Sequence, residues 1–241
     1  MPDELLFDIL LGARLEVEKS LNLTDEKIAD EALLYFKTNK RRFLNAFIEN
    51  IESKRKIIFT AGASGAGKSE FVKSLNSRLG YNVVDTDEIR KIFPYYSGRN
   101  ASLFQKASIK SVEYLLDNLF KRNLSFILDT NLANFQVASK NIDRALKRGY
   151  NIEIYFIYRD YQKCKEMTTI REEKEGRRVS NEVFNKKAIG SLESFEEIIR
   201  NYQDSISLSI VDLQNNRIYR DELGSVIDRY REKLNKYIGE E

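Results

Sequence analysis

The chain has 241 residues, 42% of them hydrophobic and 32% charged, with a formal net charge of +3, no histidine and one cysteine, Cys164. The length supports one sizeable core, or a core with a small accessory unit, and the small, interspersed net charge argues against a nucleic-acid partner. Without histidine, and with a lone cysteine, the commonest general base, an internal disulfide and a structural zinc site are excluded, so acid–base work falls to Asp, Glu, Lys or Tyr.

Residues 1–53 read as helical. Leu5, Leu6, Ile9, Leu10, Leu15 and Val17 suggest a first helix. Thr24 is placed to cap a second, with Ile28, Ala32, Leu33 and Phe36 as its apolar stripe; Asn39 can cap a third carrying Phe43, Phe47 and Ile51. The acidic start, Met1-Pro-Asp-Glu4, is unlike a basic secretory signal, and no apolar run reaches the ~18 residues of a membrane span. A cytoplasmic protein with no membrane partner is expected.

From Lys56 onward, strands expected at 56–60, 82–85, 125–129, 151–158 and 205–212 alternate with helices at 69–79, 102–122, 137–148, 162–175 and 181–202, before a charged helical tail at 221–241. Mostly continuous apolar strands in βα alternation predict an α/β fold. The expected architecture is a doubly wound parallel sheet of the P-loop NTPase type, over 54–241, behind an N-terminal helical appendage over 1–53. Ligands of such sheets bind at the carboxyl ends of the strands.

After the first strand stands Gly62-Ala63-Ser64-Gly65-Ala66-Gly67-Lys68-Ser69, the G-x-x-x-x-G-K-[ST] phosphate loop. Its glycines let consecutive N–H groups converge on an anion, and the following helix adds its positive end. Lys68 would reach the β and γ phosphates of ATP or GTP, and Ser69 would ligate Mg²⁺.

Past the second strand, Asp87 is the candidate base for a hydroxyl acceptor, alongside a reading in which Asp85 or Thr86 caps a helix near Glu88 and Asp87 is a first-turn acid. Asp129 ends the third strand as a metal-binding acid would, with Thr130 and Asn131 extending the polar cluster. Arg171, Arg177 and Arg178 can clamp the transferring phosphate on a closing segment, or pair with Glu166, Glu172 and Glu173 as a solvated face. Phe93-Pro94-Tyr95-Tyr96 to Asn100 reads as a loop that either lines an acceptor pocket or covers the core.

Residues about 56–215 resemble the zeta-toxin family of P-loop kinases. The matching pieces are the phosphate loop, Asp85-Thr-Asp87-Glu-Ile-Arg90 with Pro94-Tyr95, Leu128-Asp129-Thr130, Ala145-Leu-Lys-Arg-Gly149-Tyr150, Arg171, and Gly176-Arg-Arg178-Val179. The resemblance implies an ATP- or GTP-dependent kinase acting on a hydroxyl of UDP-N-acetylglucosamine or a related nucleotide metabolite, as the toxin of a toxin–antitoxin system. It implies Asp87 as base, Lys68, Arg171 and either Arg177 or Arg178 as phosphate clamps, and Glu113 and Thr130 as substrate contacts. Asp129 stands where those toxins tend to carry Glu, and Asn131-Leu-Ala-Asn134 replaces a Gly-containing stretch; both departures bear on the acceptor. An antitoxin partner is implied, and residues 1–53 could inhibit in cis. A nucleotide-binding switch that engages a partner protein without small-molecule phosphotransfer is the alternative.

Overall fold

A computed structural model of the protein describes residues 24–51, 53–176 and 179–240. The first helix expected near Leu5 to Val17 lies outside the described residues, as do Arg177 and Arg178. A six-stranded sheet runs in the order β2-β3-β1-β4-β5-β6, with β1 Lys56–Ala61, β2 Asn82–Asp85, β3 Phe126–Asp129, β4 Asn151–Tyr158, β5 Ser207–Asp212 and β6 Arg217–Tyr219. The first five strands pair in parallel, and β6 returns antiparallel along β5. The expected wholly parallel sheet therefore gains a short antiparallel edge. Asp212 makes the turn: its carboxylate accepts from the Gln214 and Asn215 N–H groups, both at 2.9 Å.

The helices between the strands are α3 Lys68–Leu79, α4 Thr86–Lys91, α5 Gln105–Lys121, α6 Phe135–Leu146, α7 Tyr161–Glu175 and α8 Asn181–Tyr202, and α9 Leu223–Glu240 follows the last strand. They cover both faces, so the central strands carry apolar side chains on each side: Ile57, Ile58, Phe126, Ile127, Ile154 and Ile210 are fully buried. Two sheet faces make two clusters, a large one on Phe59, Val84, Phe126 and Ile154, and a small one of Ile58, Val72, Tyr81 and Ile127 under α3.

Upstream lie α1 Asp25–Thr38 and α2 Lys40–Phe47. Thr24 caps α1 through the Lys27 N–H. Asn39 does not cap α2 with its side chain; its amide donates back to the Tyr35 carbonyl at 2.9 Å. Ile51, expected on the third helix, lies beyond its end and is 81% exposed. The hairpin packs into the large cluster: Phe43 is fully buried, with its ring 5.4 Å from Phe36 and 5.3 Å from Phe93. Phe93 in turn meets Phe104 at 5.8 Å, and Tyr96 meets Phe104 edge-on at 5.4 Å. The aromatic floor of the segment after α4 is thus shared with the N-terminal helices. Among the described residues no helix is long and apolar enough to cross a membrane.

Candidate active site

The phosphate loop follows β1 directly. Gly62 has φ 128°, and a side chain there would collide with the Ile157 carbonyl of β4; Gly65, at φ 77°, lies equally close to the Cys164 carbonyl of α7. Only glycine permits both the dihedral and the approach. Gly67 brings no side chain to the start of α3, where the first-turn N–H groups are those an anion would take. The Lys68 ammonium arches back over the loop, donating to the Gly62 carbonyl at 3.0 Å and the Ala63 carbonyl at 2.7 Å. Burial lowers its pKa to about 8, against the opposing pull of the Asp129 carboxylate.

Ser69 and Asp129 come together from the first turn of α3 and the end of β3. The Ser69 hydroxyl donates to Asp129 Oδ2 at 2.8 Å. The other carboxylate oxygen lies 2.8 Å from the hydroxyl of Thr60, which also lies 2.9 Å from the Thr130 carbonyl and accepts from the Thr130 N–H at 3.0 Å. A serine hydroxyl beside one carboxylate is a hard-oxygen pair. Among the described residues no group of three or more His, Cys, Asp or Glu converges. That fits Mg²⁺, which takes one or two protein oxygens and fills its octahedron with phosphates and water, and not a dedicated metal cage.

Asp85 and Asp129 are register partners on adjacent strands. Asp85 caps α4, accepting from the Asp87 N–H at 2.8 Å, and the helix begins at Thr86. Burial, then the Asp129 and Asp87 charges, push the Asp85 carboxyl up to about 6. Asp87 lies one residue into α4, its side chain about a third exposed (36%). Arg90, one turn on, donates through Nη1 to Asp87 Oδ1 at 2.6 Å and through Nη2 to Gln105 Oε1 at 2.7 Å. Arg90 is buried and Gln105 opens α5, so the guanidinium that holds the carboxylate is itself fixed from a second element.

The helix α7 spans the site. Its first turn carries Cys164 against Gly65, and its C-terminal Gly176 packs against Arg99 and Ser97 of the segment after α4. Arg171 points toward Glu70 of α3, with 3.8 Å between the charged groups. Arg159, at the end of β4, and Leu213, just past β5, flank the far side of the loop: a Cβ on Gly67 would lie 3.3 Å from Arg159 Nη2 and 2.9 Å from Leu213 Cδ1.

The structure therefore brings together Gly62 to Ser69, Asp129, Thr130 and Asn131. It sets Asp87 in the first turn of α4, just past the end of β2. Thr130 and Asn131 face inward to their own loop: Thr130 Oγ1 accepts from the Leu132 N–H at 3.3 Å and Asn131 Oδ1 from the Ala133 N–H at 3.1 Å. Glu113 is not drawn into this network. It sits on the outer face of α5, 58% exposed, paired with Lys110 at 2.8 Å. Sequence reasoning assigned no role to Thr60, Arg90, Gln105, Arg159 or Ser191. Arg90 had a signal, being three residues after Asp87 on a helix; the others come from separate segments.

Solved structures share this fold at low identity. The PezAT chromosomal toxin–antitoxin system of Streptococcus pneumoniae matches with a TM-score of 0.63 and 16% identity, covering 86% of this chain and 97% of that one. The AvrRxo1-ORF1:-ORF2 structure with ATP matches at 0.55 and 13%, covering 81% of this chain and 64% of that one. A kinase-like protein from Chloroflexus aurantiacus matches at 0.51 and 12%, covering 76% and 99%. No curated protein sequence matches the chain. The zeta toxin family model matches residues 44–224, from α2 to the start of α9 and across every strand and loop of the site, and the chain belongs to that family.

Proposed function

We propose that this protein is a kinase that transfers the γ-phosphate of ATP or GTP, with Mg²⁺, to a hydroxyl of a small molecule, with UDP-N-acetylglucosamine or a related nucleotide metabolite as the acceptor. It acts in the cytoplasm as the toxin of a toxin–antitoxin pair. The observation that carries this reading is the pairing of two separate devices at one sheet edge: a phosphate cradle closed by Lys68, Ser69 and Asp129, and a carboxylate, Asp87, fixed by a buried arginine. A nucleotide switch needs the first device but not the second.

The loop amides and the α3 N-terminus would bind the triphosphate, displacing the Lys68 ammonium from the loop carbonyls toward the β and γ oxygens. Ser69 and Asp129 would hold the Mg²⁺, which neutralises charge on the phosphates as it moves to the leaving group. Asp87, oriented by Arg90, would take the proton of the acceptor hydroxyl as its oxygen attacks the γ-phosphorus and the bond to the leaving diphosphate breaks. Arg171, together with Arg177 or Arg178, would meet the charge developing on the transferred group, and Arg159 the donor nucleotide. Thr130 and Asn131 would meet the acceptor through their shared loop, whereas Glu113, the third contact implied by the family resemblance, is paired with Lys110 on the outer face of α5.

The test is to incubate the protein with Mg-ATP and UDP-N-acetylglucosamine and measure acceptor-dependent phosphate transfer by mass spectrometry, with Asp87→Ala in parallel. Transfer by the wild type and its loss in the variant support the reading. No transfer to that sugar nucleotide, but transfer to another compound in a metabolite extract, corrects the acceptor alone.

A further inference from the structure

Residues Gly190 and Ser191 lie in the middle of α8. Glycine in a helix interior costs roughly 0.5–1 kcal/mol relative to alanine. The reason here is a close approach: a Cβ on Gly190 would stand 2.6 Å from the Ala133 carbonyl. Ser191, the next residue, is fully buried. Its hydroxyl accepts the Gly62 N–H at 2.7 Å and donates to the Asn131 carbonyl at 2.6 Å. The same Gly62 N–H lies 3.4 Å from the Asn131 carbonyl. One hydroxyl thus joins the first residue of the phosphate loop to the loop after β3. Three segments separated by more than fifty residues each meet in one buried hydrogen-bond network.

We infer that Ser191 is a positioning residue that ties the donor-binding loop to the acceptor-side loop 131–134, so that phosphate occupancy at one is felt at the other. This rests on the kinase reading for the identity of the two loops. The physical basis is that a buried hydroxyl satisfying one donor and one acceptor allows a single arrangement of both loops. Removing it leaves Gly62 with only the longer contact to Asn131.

The experiment is hydrogen exchange of the full chain, read on peptides covering 61–69 and 130–136, with and without Mg-ATP. In the wild type, Mg-ATP is expected to slow exchange in both segments. In Ser191→Ala, the nucleotide-free 61–69 segment is expected to exchange roughly tenfold faster, in line with the loss of one buried hydrogen bond. Mg-ATP should still protect 61–69 in this variant but no longer protect 130–136. Ser194→Ala is the control: Ser194 is a buried serine one turn on whose hydroxyl has no hydrogen-bond partner among the described residues, and it should leave both responses unchanged. If Ser191→Ala does not fold, Gly190→Ala serves instead, since its Cβ would lift the loop from α8 and break the same link. Protection of 130–136 that persists in the variant overturns the inference, as does wild-type protection confined to 61–69. A wild type in which neither Mg-ATP nor Mg-GTP protects 61–69 overturns the kinase reading and the coupling with it.

Discussion

Asp87 and Arg90 stand one turn apart on a six-residue helix and meet at 2.6 Å, with the arginine's other nitrogen on Gln105. The guanidinium is buried while the carboxylate is partly open, so the pair is an acid held by an arginine from beneath and not a surface ion pair. Arginine's planar fork reaches both partners at once, which lysine cannot do. Arg90→Lys is therefore expected to lower kcat by about tenfold or more with a smaller change in KM, since it loosens the base without touching the phosphate loop. Equal loss in kcat and KM, or none, would count against the orienting role.

Lys68 gives the site a pH signature. Burial lowers its pKa to about 8. A triphosphate favours the charged amine, so the pKa rises on binding. Below about pH 8 the amine is already protonated, and binding takes up no proton. Above it, binding takes up as much as one proton, and affinity falls by up to about tenfold per pH unit. Calorimetry of ATP binding in two buffers of different ionisation enthalpy, at about pH 7 and about pH 9, reads this directly. The same proton uptake at both pH values would contradict it.

Asp85 is a carboxylate the fold tolerates at a cost. Its pKa is raised to about 6, chiefly by burial and secondarily by Asp129 and Asp87. For an acid whose folded pKa is raised, the cost is fully present above the folded pKa and vanishes below the unfolded value. Asparagine caps a helix as well as aspartate. Asp85→Asn should therefore raise unfolding stability at neutral pH by roughly 1–2 kcal/mol, with the gain fading between about pH 6 and pH 4. Chemical denaturation at the two ends of that window checks the sign.

The N-terminal hairpin is expected to act on stability before it acts on activity. Phe43 fills a fully buried position between Phe36 and Phe93. Phe43→Ala should cost about 3–5 kcal/mol, read as a lowered melting temperature. Deleting residues 1–53 removes both Phe36 and Phe43 and should leave the chain unable to fold. A truncated chain that folds and transfers phosphate faster would instead support inhibition in cis by that region.

How far the sequence could be read depends on the range of the interaction. The strands at 82–85 and 151–158 fall where their β-branched and aromatic residues place them, with buried and half-buried positions alternating along much of each. β6 was missed, since Arg217–Tyr219 is three residues of exposed edge with no apolar run, made by the Asp212 turn. The phosphate loop was legible because eight consecutive residues carry it. Asp129 and Asp87 were legible because strand ends are where this sheet puts its ligands. Ser191 was not, because it reaches Gly62 from 129 residues away and nothing in a helical Gly-Ser marks such a contact. Glu113 shows the opposite case: a motif position supplied by family likeness whose side chain lies here on the outer face of α5, paired with Lys110.

The most direct test of the central claim compares wild type, Asp87→Ala and Lys68→Ala for Mg-ATP binding and for phosphate transfer to a metabolite extract, read by mass spectrometry. The account predicts one or more compounds gaining a phosphate with the wild type, none with either variant, and ATP binding retained by Asp87→Ala. Transfer by Asp87→Ala at the wild-type rate would contradict it.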